Sequence, residues 1–308
     1  MFSNFQKTIR SEITFKGIGL HTGKDVNLKL SPSNQDTGIV FRRTDIENSK
    51  NIIFANYANV ISAKFCTKLQ NKFGISISTV EHLLGALYGE GIDNLLIEVD
   101  GPEIPILDGS AIKFLHGIRS VGIQKQAAIR KIINVERKVE IKSGSKYISI
   151  EPKEKNLEID FELIYENKLI GKQRETVDFQ KDDLSQIYNS RTFCLYEDIE
   201  KIKTIGLAKG GSLDNAIVVK DDKIINEEGL RHKNEFVKHK ILDCMGDIML
   251  AGNRIHGLIR CSQGGHQLTN ELLKKFFINK ENWTIISSEK EKNNTNKSFF
   301  PKSVAVNA

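Results

Sequence analysis

The chain contains no CxxC pair; its four cysteines, Cys66, Cys194, Cys244 and Cys261, lie far apart. That excludes a zinc ribbon and a dithiol redox motif, and scattered thiols fit a reducing compartment. There is no apolar run long enough to span a bilayer. Met1 to Arg10 lack the apolar stretch that a secretory signal carries, so a cytoplasmic location is expected. Zinc-finger spacing and an arginine-rich patch interleaved with aromatics are both missing, and the net charge is only +6, so no nucleic-acid partner is expected. The mild basic excess suits a phosphate-bearing ligand or an anionic membrane surface.

What remains is the composition of a folded chain with a real core: 39% hydrophobic and 27% charged residues over 308 positions, enough for two modest domains or one large one. Val26 to Leu30 alternates apolar and polar residues as a strand does, after the glycine-rich Gly17 to Gly23. Ser78 and Glu81 have capping-box spacing and open a helix that runs through Tyr88. Asn94 to Val99 reads as a strand and Ala111 to Val121 as a second helix. Residues 124–130 read as a linker. Beyond it the plan recurs: strands, a helix ending near Gly252-Asn253, a strand at Gly257 to Ile259, a flexible turn at Gly264-Gly265-His266 and a helix from Thr269 to Phe277. The expected class is α+β, with two similar units at 1–125 and 130–300. From Ser287 the chain turns polar and rich in lysine and asparagine, which predicts a mobile tail.

The helix before Gly252 carries the clearest chemical signal. His239, Asp243 and Asp247 are spaced i, i+4, i+8 and share one helical face. An imidazole and a carboxylate in that relation can grip one metal ion, zinc being a common choice, and a third ligand could come from Glu81-His82. The same spacing also fits an ordinary solvated face. Against that reading, Asp243 and Asp247 are like charges at i, i+4, a conflict that a cation or a partner histidine would relieve. Taken singly, the other candidates are weak. Glu81 could be a cap and His82 a structural histidine, and HExxH is absent. His266 follows two glycines, and a carboxylate such as Asp247 could fix its tautomer and raise its pKa. Thr192 is an unremarkable polar residue on its own.

In combination the motifs are specific. Gly17-Ile18-Gly19-Leu20-His21-Thr22-Gly23, Ser76 to Leu83, Gly91 to Asn94, Pro102 to Ser110, Ser190-Arg191-Thr192-Phe193 and Phe236 to Asp243 follow one another in order. In this the sequence closely resembles the bacterial UDP-3-O-acyl-N-acetylglucosamine deacetylases, the zinc amidases of lipid A synthesis, over nearly its whole length. The resemblance implies two ββα-sandwich domains, each a sheet layered against two helices, with the active site between them. It implies His82, His239 and Asp243 as Zn2+ ligands, Glu81 as general base, His266 as general acid, Asp247 as the partner of His266, and Thr192 as a hydrogen-bond donor to the transition state. It places Lys240 and Phe193 near the substrate and makes a segment near 195–220 the passage for an acyl chain, with Ile199, Gly211, Ala216 and Val218 in matching positions. The implied partner is the acylated UDP-sugar; a monomer with peripheral contact to the inner membrane is expected. A non-catalytic nucleotide-sugar or lipid binder on the same fold, and a basic nucleic-acid-associated protein, are the alternatives.

Overall fold

A computed structural model describes residues 4–47 and 49–287. The polar tail therefore lies, Ser287 apart, outside the described residues. Among them the chain is mixed α+β, with several sheets and six α-helices. The helices are α1 (Glu81–Glu90), α2 (Ile112–Val121), α3 (Ser185–Tyr188), α4 (Tyr196–Thr204), α5 (Glu235–Met249) and α6 (His266–Ile278).

The alternating segment at Val26 is part of strand Asp25–Pro32, in a five-stranded sheet. It pairs antiparallel with Ile13–Ile18 and with Leu95–Val99; the latter runs parallel to Ile39–Arg43 on its other side. Val26, Leu28 and Leu30 all point inward and are buried, which is the purpose of a period-two pattern. Helix α2 packs against Ile13–Ile18. A seven-stranded sheet is centred on Arg254–Ser262, a strand long enough to serve three neighbours. Its first residues pair parallel with Lys131–Val135; its later ones lie between Lys146–Glu151 and Leu157–Ile164. Helix α5 packs on Leu157–Ile164, on α6 and on α1.

Three local expectations change. Residues 124–130 are not a linker: Ile123–Ile129 is a strand paired antiparallel with Phe5–Ile9. The N-terminal residues supply its partner, and so remote a pairing leaves no local trace in sequence. Ser78 does not cap α1. It ends strand Ser76–Ser78 and its hydroxyl donates to the Pro102 carbonyl at 3.1 Å, while Val80 occupies the cap position with no side-chain bond. Finally, His266 is no turn residue but the first residue of α6, which begins three positions before the expected start.

The contact between α1 and α5 is unusually close. A Cβ at Gly246 would lie 2.0 Å from the Glu81 carbonyl oxygen, and one at Gly85 would lie 2.7 Å from Leu242 Cδ1. Only hydrogen fits there, so the two glycines let the backbones approach. Leu83, Leu84, Leu87, Leu242 and Met245 fill the surrounding core, each fully buried. Removing one leucine side chain from such a core costs about 2–5 kcal/mol.

Candidate metal and acid–base site

The α1–α5 crossing decides what faces what. Glu81 and His82 open α1, where a carboxylate also complements the helix dipole. His239 and Asp243 lie one turn apart on α5. The three ligand atoms of His82, His239 and Asp243 lie within 4.8 Å of one another, all in buried side chains. Asp243 Oδ1 is 3.5 Å from His82 Nε2 and 3.4 Å from His239 Nε2, and the two imidazole rings meet edge to face at 4.9 Å.

This cluster fits a divalent ion. Asp243 Oδ1 is buried without a hydrogen-bond partner, a cost that a cation would remove. Nδ1 of His239 donates to the Ser190 carbonyl at 3.1 Å, which leaves the Nε2 lone pair aimed at the cluster. Burial pushes the His239 imidazole down to about 3, against the pull of Asp243; it is neutral at pH 7, the form that ligates metal. Burial pushes Asp243 upward, but His239, Lys240 and His266 outweigh it and hold the carboxyl well below its usual range. Lys240 itself reaches Asp243 Oδ2 at 2.6 Å.

Two proton-handling groups flank the cluster. Burial raises the pKa of Glu81, and its Oε1 faces His266 Nε2 at 3.8 Å. His266 Nδ1 donates to Asp247 Oδ2 at 2.8 Å. Burial would lower the His266 pKa, yet Asp247, Asp243 and Glu81 together raise it to about 9. The repulsion expected between Asp243 and Asp247 is thus relieved by Lys240 on one carboxylate and His266 on the other.

These groups line a cleft of about 860 Å³, as do Thr192, Phe193 and Lys240. A second, mostly apolar cavity of about 460 Å³ shares Thr192, Phe193, Leu20, His21 and Phe65 with the first and is lined further by Ile199, Gly211, Ala216 and Val218. Its walls are α4 and the strands Phe193–Leu195 and Ile217–Lys220, which pair in parallel. All the residues singled out in the sequence therefore lie in or beside two adjoining cavities, Asp247 through its bond to His266.

Several supporting residues gave no such signal. Arg191 is almost fully buried and pairs through Nε with Glu235 Oε1 at 2.9 Å, tying the Thr192 segment to the start of α5. Glu103, fully buried, accepts from the backbone N–H of His21 and Thr22 and from the Thr79 hydroxyl at 2.8–2.9 Å. It anchors the glycine-rich Gly17–Gly23 segment beside the entry to α1. Thr67 contacts both Glu81 and Asp247. Arg191 and Glu103 do fall within matched motifs; Thr67 falls in none of them.

A family model described as LpxC, UDP-3-O-acyl N-acetylglycosamine deacetylase, matches residues 6–278. The UDP-3-O-acyl-N-acetylglucosamine deacetylase of Pasteurella multocida is 42% identical over 286 residues, covering 92% of this chain and 93% of that protein. That of Haemophilus influenzae is 42% identical over 287 residues, covering 92% and 93%. That of Shewanella violacea is 40% identical over 291 residues, covering 94% of each.

Proposed function

The chain belongs to the UDP-3-O-acyl-N-acetylglucosamine deacetylase family, and we propose that it hydrolyses the N-acetyl amide of UDP-3-O-(3-hydroxyacyl)-N-acetylglucosamine. The products are acetate and the free amine, in the synthesis of lipid A. The observation that carries this reading is the convergence of His82, His239 and Asp243 on one point, with Glu81 and His266 facing each other beside it.

In this reading His82, His239 and Asp243 would hold a zinc ion. Bound there, zinc supplies Lewis-acid polarisation of the amide carbonyl and acidifies water. Glu81 accepts the proton of the attacking water at its carboxylate; burial, by raising its pKa, makes it the stronger base. Thr192, on the wall of the same cleft, donates a hydrogen bond to the oxyanion that develops on the carbonyl. His266, protonated because three carboxylates surround it, gives its Nε2 proton to the leaving nitrogen. Asp247 keeps the imidazole in the right orientation through Nδ1. Lys240 and Phe193, on the wall of the cleft, lie near the substrate. The apolar cavity lined by Ile199, Gly211, Ala216 and Val218 takes the acyl chain.

The two sheet-and-helix halves are a duplicated ββα-sandwich, with the substrate bound where they meet. The protein acts as a monomer in the cytoplasm, touching the inner membrane at its periphery; no helix among the described residues is long and apolar enough to cross a membrane.

Metal analysis of the purified protein, paired with an assay for released amine, tests the proposal. One zinc per chain and amine release are expected, with both lost in His239→Ala. Full amine release by a protein stripped of metal would overturn it.

A further inference from the structure

Thr67 touches both proton-handling arms of the site. Its backbone N–H donates to Glu81 Oε2 at 3.1 Å, and its hydroxyl donates to Asp247 Oδ1 at 2.6 Å. Thr67 is 1% exposed, so water does not replace either bond. Each carboxylate is left with one oxygen directed at His266: Glu81 Oε1 lies 3.8 Å from Nε2, and Asp247 Oδ2 lies 2.8 Å from Nδ1.

The placement of Thr67 is built into the fold. It directly precedes strand Lys68–Gln70, which pairs antiparallel with Ser76–Ser78, Lys68 opposite Ser78. That second strand leads through Thr79 and Val80 straight into Glu81. Leu69 and Ile77, opposite each other and fully buried, hold the register. A slip of one residue would reverse which side chains face the site. The pairing therefore brings the Thr67 N–H to Glu81 from the neighbouring strand, while the hydroxyl reaches across to α5.

We propose that Thr67 is the positioning residue that sets the base and the acid of the deacetylase in mutual register. This rests on the functional reading above. Thr67 itself touches no reacting atom. A carboxylate with one oxygen tied keeps its other oxygen on a fixed bearing, and one residue holding two carboxylates fixes the distance between the groups they serve. Loss of the hydroxyl leaves Asp247 Oδ1 without this donor and frees the carboxylate to rotate, and with it the imidazole of His266. The N–H bond to Glu81 needs no side chain, so substitutions at Thr67 separate the two arms.

The test compares the zinc-loaded parent with Thr67→Val and Thr67→Ser. Valine keeps the shape and the N–H but removes the hydroxyl; serine keeps the hydroxyl. For Thr67→Val, kcat should fall by about 10- to 100-fold, the scale of a misplaced catalytic group, with KM within about twofold and zinc content unchanged. Thr67→Ser should recover most of the parental kcat. Proton NMR of the His266 Nδ1–H, read without turnover, should show the low-field resonance of the parent displaced or broadened in Thr67→Val and restored in Thr67→Ser. A folded Thr67→Val with parental kcat and resonance overturns the proposal. So does a folded Thr67→Ser variant whose kcat falls about 10- to 100-fold below the parent, which would point to the methyl group and packing; this comparison is with the parent, so it decides the matter even if valine fails to fold. A parent that binds zinc but releases no amine would refute the deacetylase reading instead, while the NMR comparison would still report on Thr67.

Discussion

Nε2 of His266 and Oε1 of Glu81 stand 3.8 Å apart, although 185 positions separate them in the chain. One begins α6 and the other begins α1. They make no hydrogen bond at that distance. The separation leaves a proton acceptor and a proton donor on either side of the space beside His82, His239 and Asp243.

Glu81→Gln preserves the shape of that arrangement and removes the base. Turnover should drop by roughly 10²–10⁴-fold, while zinc content stays at the parental level, because Glu81 is not among the three clustered ligands. Amine release and metal analysis on the same sample check both halves. A variant that lost its metal would move Glu81 from base to ligand.

The titrating groups should give the metal-free protein a stability maximum in pH. His266 is raised from 6.5 to about 9. Its contribution is fully present below 6.5 and is lost as pH climbs toward 9, because the folded state holds the proton that the unfolded state has released. His239 is depressed to about 3, so folding is weakened as pH falls below 6.5 and the unfolded state alone takes up a proton. Thermal melts of metal-free protein across this range should show both slopes. His266→Gln should flatten the alkaline one only. A profile unchanged by that substitution would mean that His266 is not protonated in the fold.

Gly246→Ala tests the helix crossing. The added methyl would sit 2.0 Å from the Glu81 carbonyl, and since backbone cannot turn aside as a flexible side chain can, α1 and α5 must separate. Overpacking of this kind costs about 1–3 kcal/mol, readable as a lower urea midpoint. Activity should fall as well, because Glu81 and His82 ride on α1 and His239 and Asp243 on α5. Parental stability and activity together would show that the crossing is looser than the structure has it.

Ala216→Phe narrows the apolar cavity. If that cavity takes the acyl chain, kcat/KM in the parent should rise with chain length by about 0.8 kcal/mol, near fourfold, per buried methylene. The variant should reach its plateau at a shorter chain. A series of substrates differing only in acyl length measures this. Identical length dependence in parent and variant would place the chain elsewhere.

Periodicity was informative wherever one face of an element is buried. The alternation at Val26 to Leu30 is a strand with its apolar side inward, and the helix expected before Gly252-Asn253 is α5. The i, i+4 relation of His239 and Asp243 needed only that helix. Long-range pairing left weaker marks. Ile123–Ile129 looks like a linker because its partner lies at the N-terminus. Ser78 and Glu81 keep capping-box spacing, yet Ser78 is drawn into a strand and Glu81 turns to the cleft.

Residue order by itself determined the helical ladder, the identity of the titratable groups and the motif series that marks the family, since these depend on local geometry and side-chain chemistry. Only the tertiary structure decided that His82 of α1 reaches the ladder on α5, that Asp247 turns to His266, and that Thr67 stands between Asp247 and Glu81. The physical reason is packing: two glycines let α1 and α5 approach, and a contact made by the absence of side chains has no period to read.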